Sequence, residues 1–210
     1  MGMISIALSK GRILDETGPL LARVGLRPAE DAENSRKLII GTQKRGVRLI
    51  VVRASDTPTY EQHGGADIGI AGRDVLVEHG GEGLYQPVDL GIARCRMVVA
   101  EPEGRPVDEN SQVHLRYASK FAEITRRHLQ ARGTVAEIIK LYGSIEIAPL
   151  VGLADRIVDL VSSGETLRQH HLREVETIFP VSARLCVGRV AAKLRGDRID
   201  DVIARLRRVI

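Results

Sequence analysis

Between Glu146 and Leu167 the chain reads EIAPLVGLADRIVDLVSSGETL, which sets carboxylates, an apolar run and a small hydroxylated loop in one continuous order. In Ser162-Ser163-Gly164-Glu165-Thr166 the small side chains let successive backbone N–H groups turn into one concavity, and the hydroxyls of Ser162, Ser163 and Thr166 add donors. Such a nest holds a phosphate dianion. A helix starting at Thr166 and carrying Leu167, Arg168 and Leu172 would bring a positive N-terminus to the same place. Asp155 and Asp159 precede the loop. Carboxylates repel phosphate but accept hydrogen bonds from vicinal hydroxyls, so acids beside a phosphate nest point to a ribose 5-phosphate rather than to free phosphate. For SSG alone, a Ser-Gly turn between strand and helix with two solvated aspartates is the plainer explanation. Both aspartates and Thr166 at this spacing favour the sugar phosphate.

Positioning such a loop requires a strand before it. Arg156 to Val161 supplies one, since Ile157, Val158, Leu160 and Val161 form an apolar run, broken by Asp159, that suits burial on both faces. Strand and helix patterns alternate along the rest of the chain, the mark of an α/β protein with a mainly parallel sheet. Ile4 to Leu8 reads as a buried strand and Leu14 to Val24 as an amphipathic helix stopped by Gly25. Lys37 to Thr42 and Val47 to Val52 form a hairpin around Gln43 to Gly46. Ser55 and Asp56 are capping candidates for a short helix through His63 with Pro58 in its first turn. Ile68 to Ala71 is a strand, Val75 to Glu78 begins a helix, and a long apolar run covers Gly91 to Ala100. EPEGRPVDENSQ, which follows, is the most loop-like segment. A second succession has a strand from Leu115 to Ala118, a helix from Phe121 to Ala131 ended by Gly133, and a strand from Glu137 to Leu141. Arg173 to Val187 is extended and Ile199 to Val209 is a closing helix. With no repeat and no long linker, a two-lobed body with chain crossings between the lobes is the economical picture.

Other strand ends carry charge. Ser9-Lys10-Gly11-Arg12 follows the first strand, where α/β proteins bind ligands. Lys10 can act there as a point charge and Arg12 can fork onto phosphate oxygens, although a solvated basic turn would read the same way. Arg53 is a weaker candidate for the same anionic region. Gly72-Arg73-Asp74 ends the strand Asp67 to Ala71, with a glycine that permits close backbone approach, or else forms a tight turn with a surface ion pair. Tyr117, Ser119 and Lys120, then Lys140, Tyr142, Gly143, Ser144 and Glu146, stand at two further strand ends. Either tyrosine could stack on a purine, though packing is the commoner use. His63, His79, His114, His128, His170 and His171 have no metal-ligand spacing, and no dedicated metal site is expected.

The balance of 31 basic against 27 acidic residues gives a net charge of +4, a mild excess that anionic small substrates explain. Charges alternate in sign and aromatics are only 3% of the chain, so nucleic-acid binding is not expected. Cys95 and Cys186 are isolated and read as reduced core thiols of a cytoplasmic protein. Neither a signal peptide nor a membrane span is expected.

The pattern of Glu146, Gly152, Ala154, Ile157, Asp159, Leu160, Ser163, Gly164, Thr166 and Leu167 resembles the motif of the ATP phosphoribosyltransferases, which open histidine biosynthesis. Further resemblance lies in ALSKGRILDE, SRKLI, RASDTPTY, ADIGIAGRDVL and IKLYGSIEIAPL. The loop is also similar to the diphosphate-sugar loop of purine and pyrimidine phosphoribosyltransferases, as convergence on one ligand would produce. The resemblance implies a fold like the type II periplasmic binding proteins, with two lobes, flanking helices and a cleft between them. Residues 1–90 plus 181–210 would form the first lobe, and 91–180 the second, carrying the phosphoribosyl diphosphate loop. It implies transfer of the 5-phosphoribosyl group from phosphoribosyl diphosphate to N1 of the adenine of ATP, releasing pyrophosphate. Arg12, Arg36 and Lys10 would stabilise the leaving diphosphate. Asp155, Asp159, Ser162, Ser163, Gly164, Glu165 and Thr166 would bind the sugar diphosphate. Lys10, Gly11, Arg12, Arg73, Asp74 and Glu146 would face ATP. Mg²⁺ would ride on the diphosphate.

The chain resembles short-form members, which implies a regulatory subunit similar to histidyl-tRNA synthetase in a hetero-oligomer, together with a homodimer. Glu61 stands where members usually carry an apolar residue, so if buried it needs a partner. A two-lobed receptor or effector module would share the fold but should carry a signal peptide or a DNA-binding motif. A P-loop hydrolase would need G-x-x-x-x-G-K-[ST], which is absent.

Overall fold

Ile4, Ile6, Ala7 and Leu8 are each at most 1% exposed, so β1 (Ile4–Leu8) is covered on both faces, as its largely apolar sequence suits, with Ser5 buried among them. In a computed structural model, residues 2–108 and 114–210 are described. They fall into two compact units, Met1–Arg94 with Ser182–Ile210, and Cys95–Val181.

The first unit has a six-stranded sheet in the order β2 (Ile39–Gly41), β3 (Val47–Val51), β1, β4 (Ile68–Gly72), β11 (Ala183–Gly188), β5 (Leu84–Asp89). The pairs of β1 with β3 and β4 are parallel, whereas β2, β11 and β5 join antiparallel. Leu21 from α1 (Arg12–Arg23) and Ile199, Val202 and Leu206 from α6 (Arg189–Arg207) complete the core formed with Ile4, Ile68 and Leu185. The helix α2 (Thr57–Gln62) comes so close to the sheet that a Cβ at Gly188 would lie 2.2 Å from the Glu61 carbonyl oxygen. Glycine is therefore required there. The helix α3 (Arg73–His79) follows β4 directly.

The second unit has five strands in the order β10 (Leu172–Val181), β6 (Cys95–Pro102), β9 (Arg156–Val161), β7 (Leu115–Ser119), β8 (Ala136–Lys140). Here β9, β7 and β8 are parallel, and β6 and β10 antiparallel. Val98, Ala118, Ile157, Val161 and Leu167 meet in its core, and α4 (Ala122–Ala131) buries Ile124 and Leu129. The short α5 (Glu165–Gln169) follows β9.

Several expectations change. Parallel pairing is confined to three strands in each sheet, because hairpin-like returns and the late strands β10 and β11 run the other way. Gly91 to Ala100 is not one run: β6 starts at Cys95, and β5, whose exposed Tyr85 and Gln86 hide the pattern, precedes it. The last helix begins at Arg189, with non-helical angles at Arg195 where that side chain bonds Met3 O and Asp67. Leu194 there is exposed, so the apolar periodicity fails over the first turns. Ser55 and Asp56 lie in a 3-10 turn and cap nothing through their side chains; the Ser55 hydroxyl instead donates to Asp56. Cys186 is buried as expected, but Cys95 is only half-buried. Of the loop segment, Glu101 and Pro102 belong to β6, and residues 109–112 lie outside the described residues. Among the described residues no helix is long and apolar enough to cross a membrane.

Candidate active site

Parallel strands end together, and in the second unit this gathers the chemistry. Ser119 at the end of β7 is level with Val158 of β9 and with Lys140 of β8, so the segments after all three strands leave one edge of the sheet. A pocket at this edge is lined by Glu146, Asp159, Leu160, Val161 and the run Ser162 to Leu167. Val161 and Leu167 are buried in the core and pin the loop at both ends. Between them Gly164 has φ +80°, a left-handed turn that glycine makes without strain. The Glu165 N–H donates to Ser163 Oγ at 3.3 Å, while Ser162, Ser163 and Thr166 stay exposed.

Desolvation pushes the Asp159 carboxyl up from its usual range, the charge of Glu146 adds to that rise, and a hydrogen bond from Leu160 N and the charge of Lys120 oppose it. Glu146 reaches the pocket from a 3-10 turn, Ile145–Ile147, after Ser144 in a left-handed conformation. Two carboxylates that sense each other beside exposed hydroxyls and a tight glycine turn can receive the diol and the phosphate of one sugar.

In the first unit β3, β1 and β4 also end level, Val51 with Leu8 and Leu8 with Ile70. Lys10 Nζ donates to the carbonyls of Glu33 and Ser35 at 2.8 and 2.7 Å, and Gly11 N donates to the Glu33 carboxylate. The turn that holds Lys10 therefore carries Arg36 next in sequence, exposed to solvent. Arg12 pairs with Glu16 at 2.7 Å and donates to Arg94 O at 3.0 Å.

Known proteins share this sequence and fold. A family described as ATP phosphoribosyltransferase matches residues 53–208. An ATP phosphoribosyltransferase of Halorhodospira halophila is 59% identical over 97% of this chain and 96% of its own length. The chain belongs to the ATP phosphoribosyltransferase family. A relative of that name from Chromobacterium violaceum is 57% identical over 95% of both chains. Among solved structures, the ATP phosphoribosyl transferase (HisG:HisZ) complex from Thermotoga maritima has a chain with TM-score 0.85 and 31% identity, covering 99% of this chain and 98% of that one. The VFT2 domain of Bordetella pertussis BvgS has TM-score 0.61 at 13% identity over 97% of this chain and 84% of that domain, a likeness of fold alone. The two-unit α/β architecture is thus that of the phosphoribosyltransferase family and of a Venus-flytrap-type binding domain.

Within this family frame, some expected site residues come together and others do not. Glu146, Asp159, Ser162, Ser163, Gly164, Glu165 and Thr166 share one pocket. Asp155 does not. It precedes the other end of β9, roughly 20 Å of strand away, where it accepts from Arg116 N at 2.9 Å and lines a different pocket with Pro149 and Gly152. Sequence spacing suggests the pair, but a strand between two residues separates them. Glu165 sits in the pocket wall, yet its carboxylate accepts from Arg168 and Gln169 on its own helix, and the Arg168 and Gln169 hydrogen bonds hold it below the usual range. Asp74 is 6% exposed, and its Oδ1 folds back over Gly72 in its own turn. Tyr117 is buried with its hydroxyl accepting from Arg156 at 3.1 Å, which removes it as a stacking platform. Tyr142 is 83% exposed, with Lys140 Nζ 5.9 Å from the ring centroid. Lys120 is an influence on the pocket that its place at the strand end signals.

Proposed function

We propose that this phosphoribosyltransferase holds its activated sugar in the pocket between Glu146 and the loop that follows β9. The observation that carries the reading is the meeting, in one pocket, of two electrostatically coupled carboxylates, Glu146 and Asp159, with the exposed hydroxyls and left-handed glycine of residues 162–166. The reaction is that of the family. The 5-phosphoribosyl group passes from phosphoribosyl diphosphate to N1 of the adenine of ATP, giving N1-(5-phosphoribosyl)-ATP and pyrophosphate in the first step of histidine biosynthesis.

Displacement at the anomeric carbon proceeds through an oxocarbenium-like state, and the departing diphosphate gathers negative charge. Alignment and charge stabilisation are therefore the chief needs. Ser162 to Thr166 would hold the 5-phosphate, and Asp159 and Glu146 would accept from the ribose hydroxyls. Lys10, Arg12 and Arg36 are the cations proposed for the leaving diphosphate, and Gly11 and Arg73 mark the strand ends proposed for ATP. No covalent intermediate is required.

Among the described residues no group of three or more His, Cys, Asp or Glu side chains is placed to hold a metal. The donor set fits Mg²⁺ carried by the substrate, because that ion binds through phosphate oxygens plus one or two carboxylates. Glu146 and Asp159 are the carboxylates that would help hold it. When bound it neutralises charge on the diphosphate.

The Thermotoga maritima complex pairs HisG with HisZ. We extend that pairing to this chain, with a regulatory subunit similar to histidyl-tRNA synthetase in a hetero-oligomer, and a homodimer of the catalytic chain. A cytoplasmic location suits the biosynthetic role. Mixing the protein with ATP, Mg²⁺ and phosphoribosyl diphosphate, with and without the regulatory subunit, should produce the ultraviolet absorbance of the product. Thr166→Ala should weaken binding of phosphoribosyl diphosphate while leaving that of ATP unchanged. Equal affinity of wild type and Thr166→Ala for the sugar diphosphate would remove the pocket assignment.

A further inference from the structure

Arg96 is the second residue of β6, in register with Val161 of β9 on one side and Pro180 of β10 on the other. Its guanidinium does two things. Nε and Nη2 fork onto the Glu174 carboxylate at 2.6 to 3.0 Å, and Nη1 donates to the carbonyl of Ser162 at 3.1 Å. Glu174 is itself held by the Thr177 hydroxyl at 2.6 Å, and a hydrogen bond from Arg96 keeps its carboxyl below the usual range. The fork is planar and rigid, so fixing two of its nitrogens on Glu174 fixes where the third one points.

The third points at the loop. A trans peptide is planar, with its C=O and N–H on opposite sides of the chain. Holding the Ser162 oxygen toward β6 therefore turns the Ser163 N–H away from β6. Ser163 lies within the wall of the pocket, followed by the left-handed Gly164. Arg96 Nη1 donates to this carbonyl where the chain passes from the buried Val161 to Gly164.

We propose that Arg96, locked by Glu174, is a positioning residue for the 5-phosphate of phosphoribosyl diphosphate, acting by fixing the orientation of the Ser162–Ser163 peptide. This rests on the pocket reading given above. Arg96 touches no reacting atom in this role; it keeps one backbone donor aimed before the substrate arrives, which lowers the ordering cost of binding.

Calorimetry on the full chain separates this role from general stabilisation. Arg96→Gln should weaken phosphoribosyl diphosphate about tenfold, a loss of about 1.4 kcal/mol, leave ATP affinity within a factor of two, and raise KM for the sugar diphosphate more than it lowers kcat. Arg96→Lys should recover part of the loss, and Glu174→Gln should shift affinity in the same direction by less. If Arg96→Gln binds both ligands as wild type does, or loses both equally, the proposal is overturned. Should Arg96→Gln not fold, Glu174→Gln decides by the same comparison. Thr166→Ala run alongside tells the two levels apart. An effect there without one at Arg96 rejects only the positioning role, whereas no effect at Thr166 rejects the pocket itself.

Discussion

Glu61 Oε2 lies 3.2 Å from Cys186 Sγ, in a carboxyl that is fully enclosed between α2 and the sheet. Its other oxygen has no hydrogen-bond partner among the described residues, and a Cβ at Gly69 would come within 2.3 Å of it. The absence of that side chain makes the room that the carboxyl fills. Burial raises the Glu61 carboxyl to about 8 against the hydrogen bond from Cys186, so the group is folded in its neutral form. The anion without a cationic partner would be far more costly.

That state has a pH signature. A carboxyl whose folded value is raised contributes stability present below its unfolded value and lost as pH rises through the folded one. For Glu61 the window runs from the ordinary 4.5 to about 8. Thermal midpoints should therefore fall between pH 5 and 9 in the wild type and fall less in Glu61→Gln, which cannot ionise. Parallel curves for the two proteins would show that Glu61 does not titrate in the fold.

Glu101 and Arg156 make the opposite kind of burial, a charge pair in which each side chain is at most 5% exposed. Desolvation works to raise Glu101, but hydrogen bonds from Arg173, Arg156 and Val107 N outweigh it and hold the carboxyl low. Arg156→Met removes one cation and leaves the acid to Arg173, so a loss of about 3–5 kcal/mol is expected. Denaturant titration measures it. A change below about 1 kcal/mol would mean that water or Arg173 compensates in full.

These buried polar groups show where the sequence is readable. The 156–161 strand, the hairpin at 37–52 and the loop at 162–166 follow from apolar runs and small residues, and each forms where the pattern puts it. Asp155 stands apart from the loop pocket because a linear motif lists residues in order without saying which end of a strand they occupy. The sheet directions, the early start of α6 and the strand β5 are settled by pairing with distant chain, which local periodicity does not encode. Arg96 escapes notice for the same reason: its partners Glu174 and Ser162 are 78 and 66 residues away.

Gly72 and Asp74 offer a test of close packing at a strand end. A Cβ on Gly72 would sit 2.1 Å from Asp74 Oδ1, although Gly72 itself has ordinary extended angles. Gly72→Ala should cost about 1–3 kcal/mol by forcing the buried carboxylate aside. In a double-mutant cycle with Asp74→Ala the cost should largely disappear. Simple additivity would show that the clash is relieved elsewhere.

Arg12 should act on the chemical step. Its Nε is held by Glu16, which also accepts from Ala93 N at 2.7 Å, so the guanidinium is oriented before any substrate binds. Arg12→Ala should slow single turnover by about 10²–10³ in the active assembly, the scale of removing one charge-stabilising donor. Arg12→Lys should not restore it, because an ammonium cannot serve Glu16 and a phosphate with one planar fork. Unchanged single-turnover rates in both variants would take Arg12 out of the reaction.

Gly164 tests the loop through backbone conformation alone. Its φ of +80° is one that an L side chain enters at a cost of about 1–2 kcal/mol, yet the space is open, since a Cβ would meet only Val161 Cγ1 at 3.9 Å. Gly164→Ala thus introduces strain without a clash. The loop can relieve the strain by turning the peptides that flank Gly164, which would misdirect the donors proposed to hold the phosphate. Phosphoribosyl diphosphate affinity should fall about tenfold with ATP affinity unchanged, and Gly164→Asn, which tolerates the left-handed region better, should fall less. If alanine and asparagine leave the sugar diphosphate bound as tightly as in the wild type, the turn at Gly164 is scaffolding and the phosphate lies elsewhere.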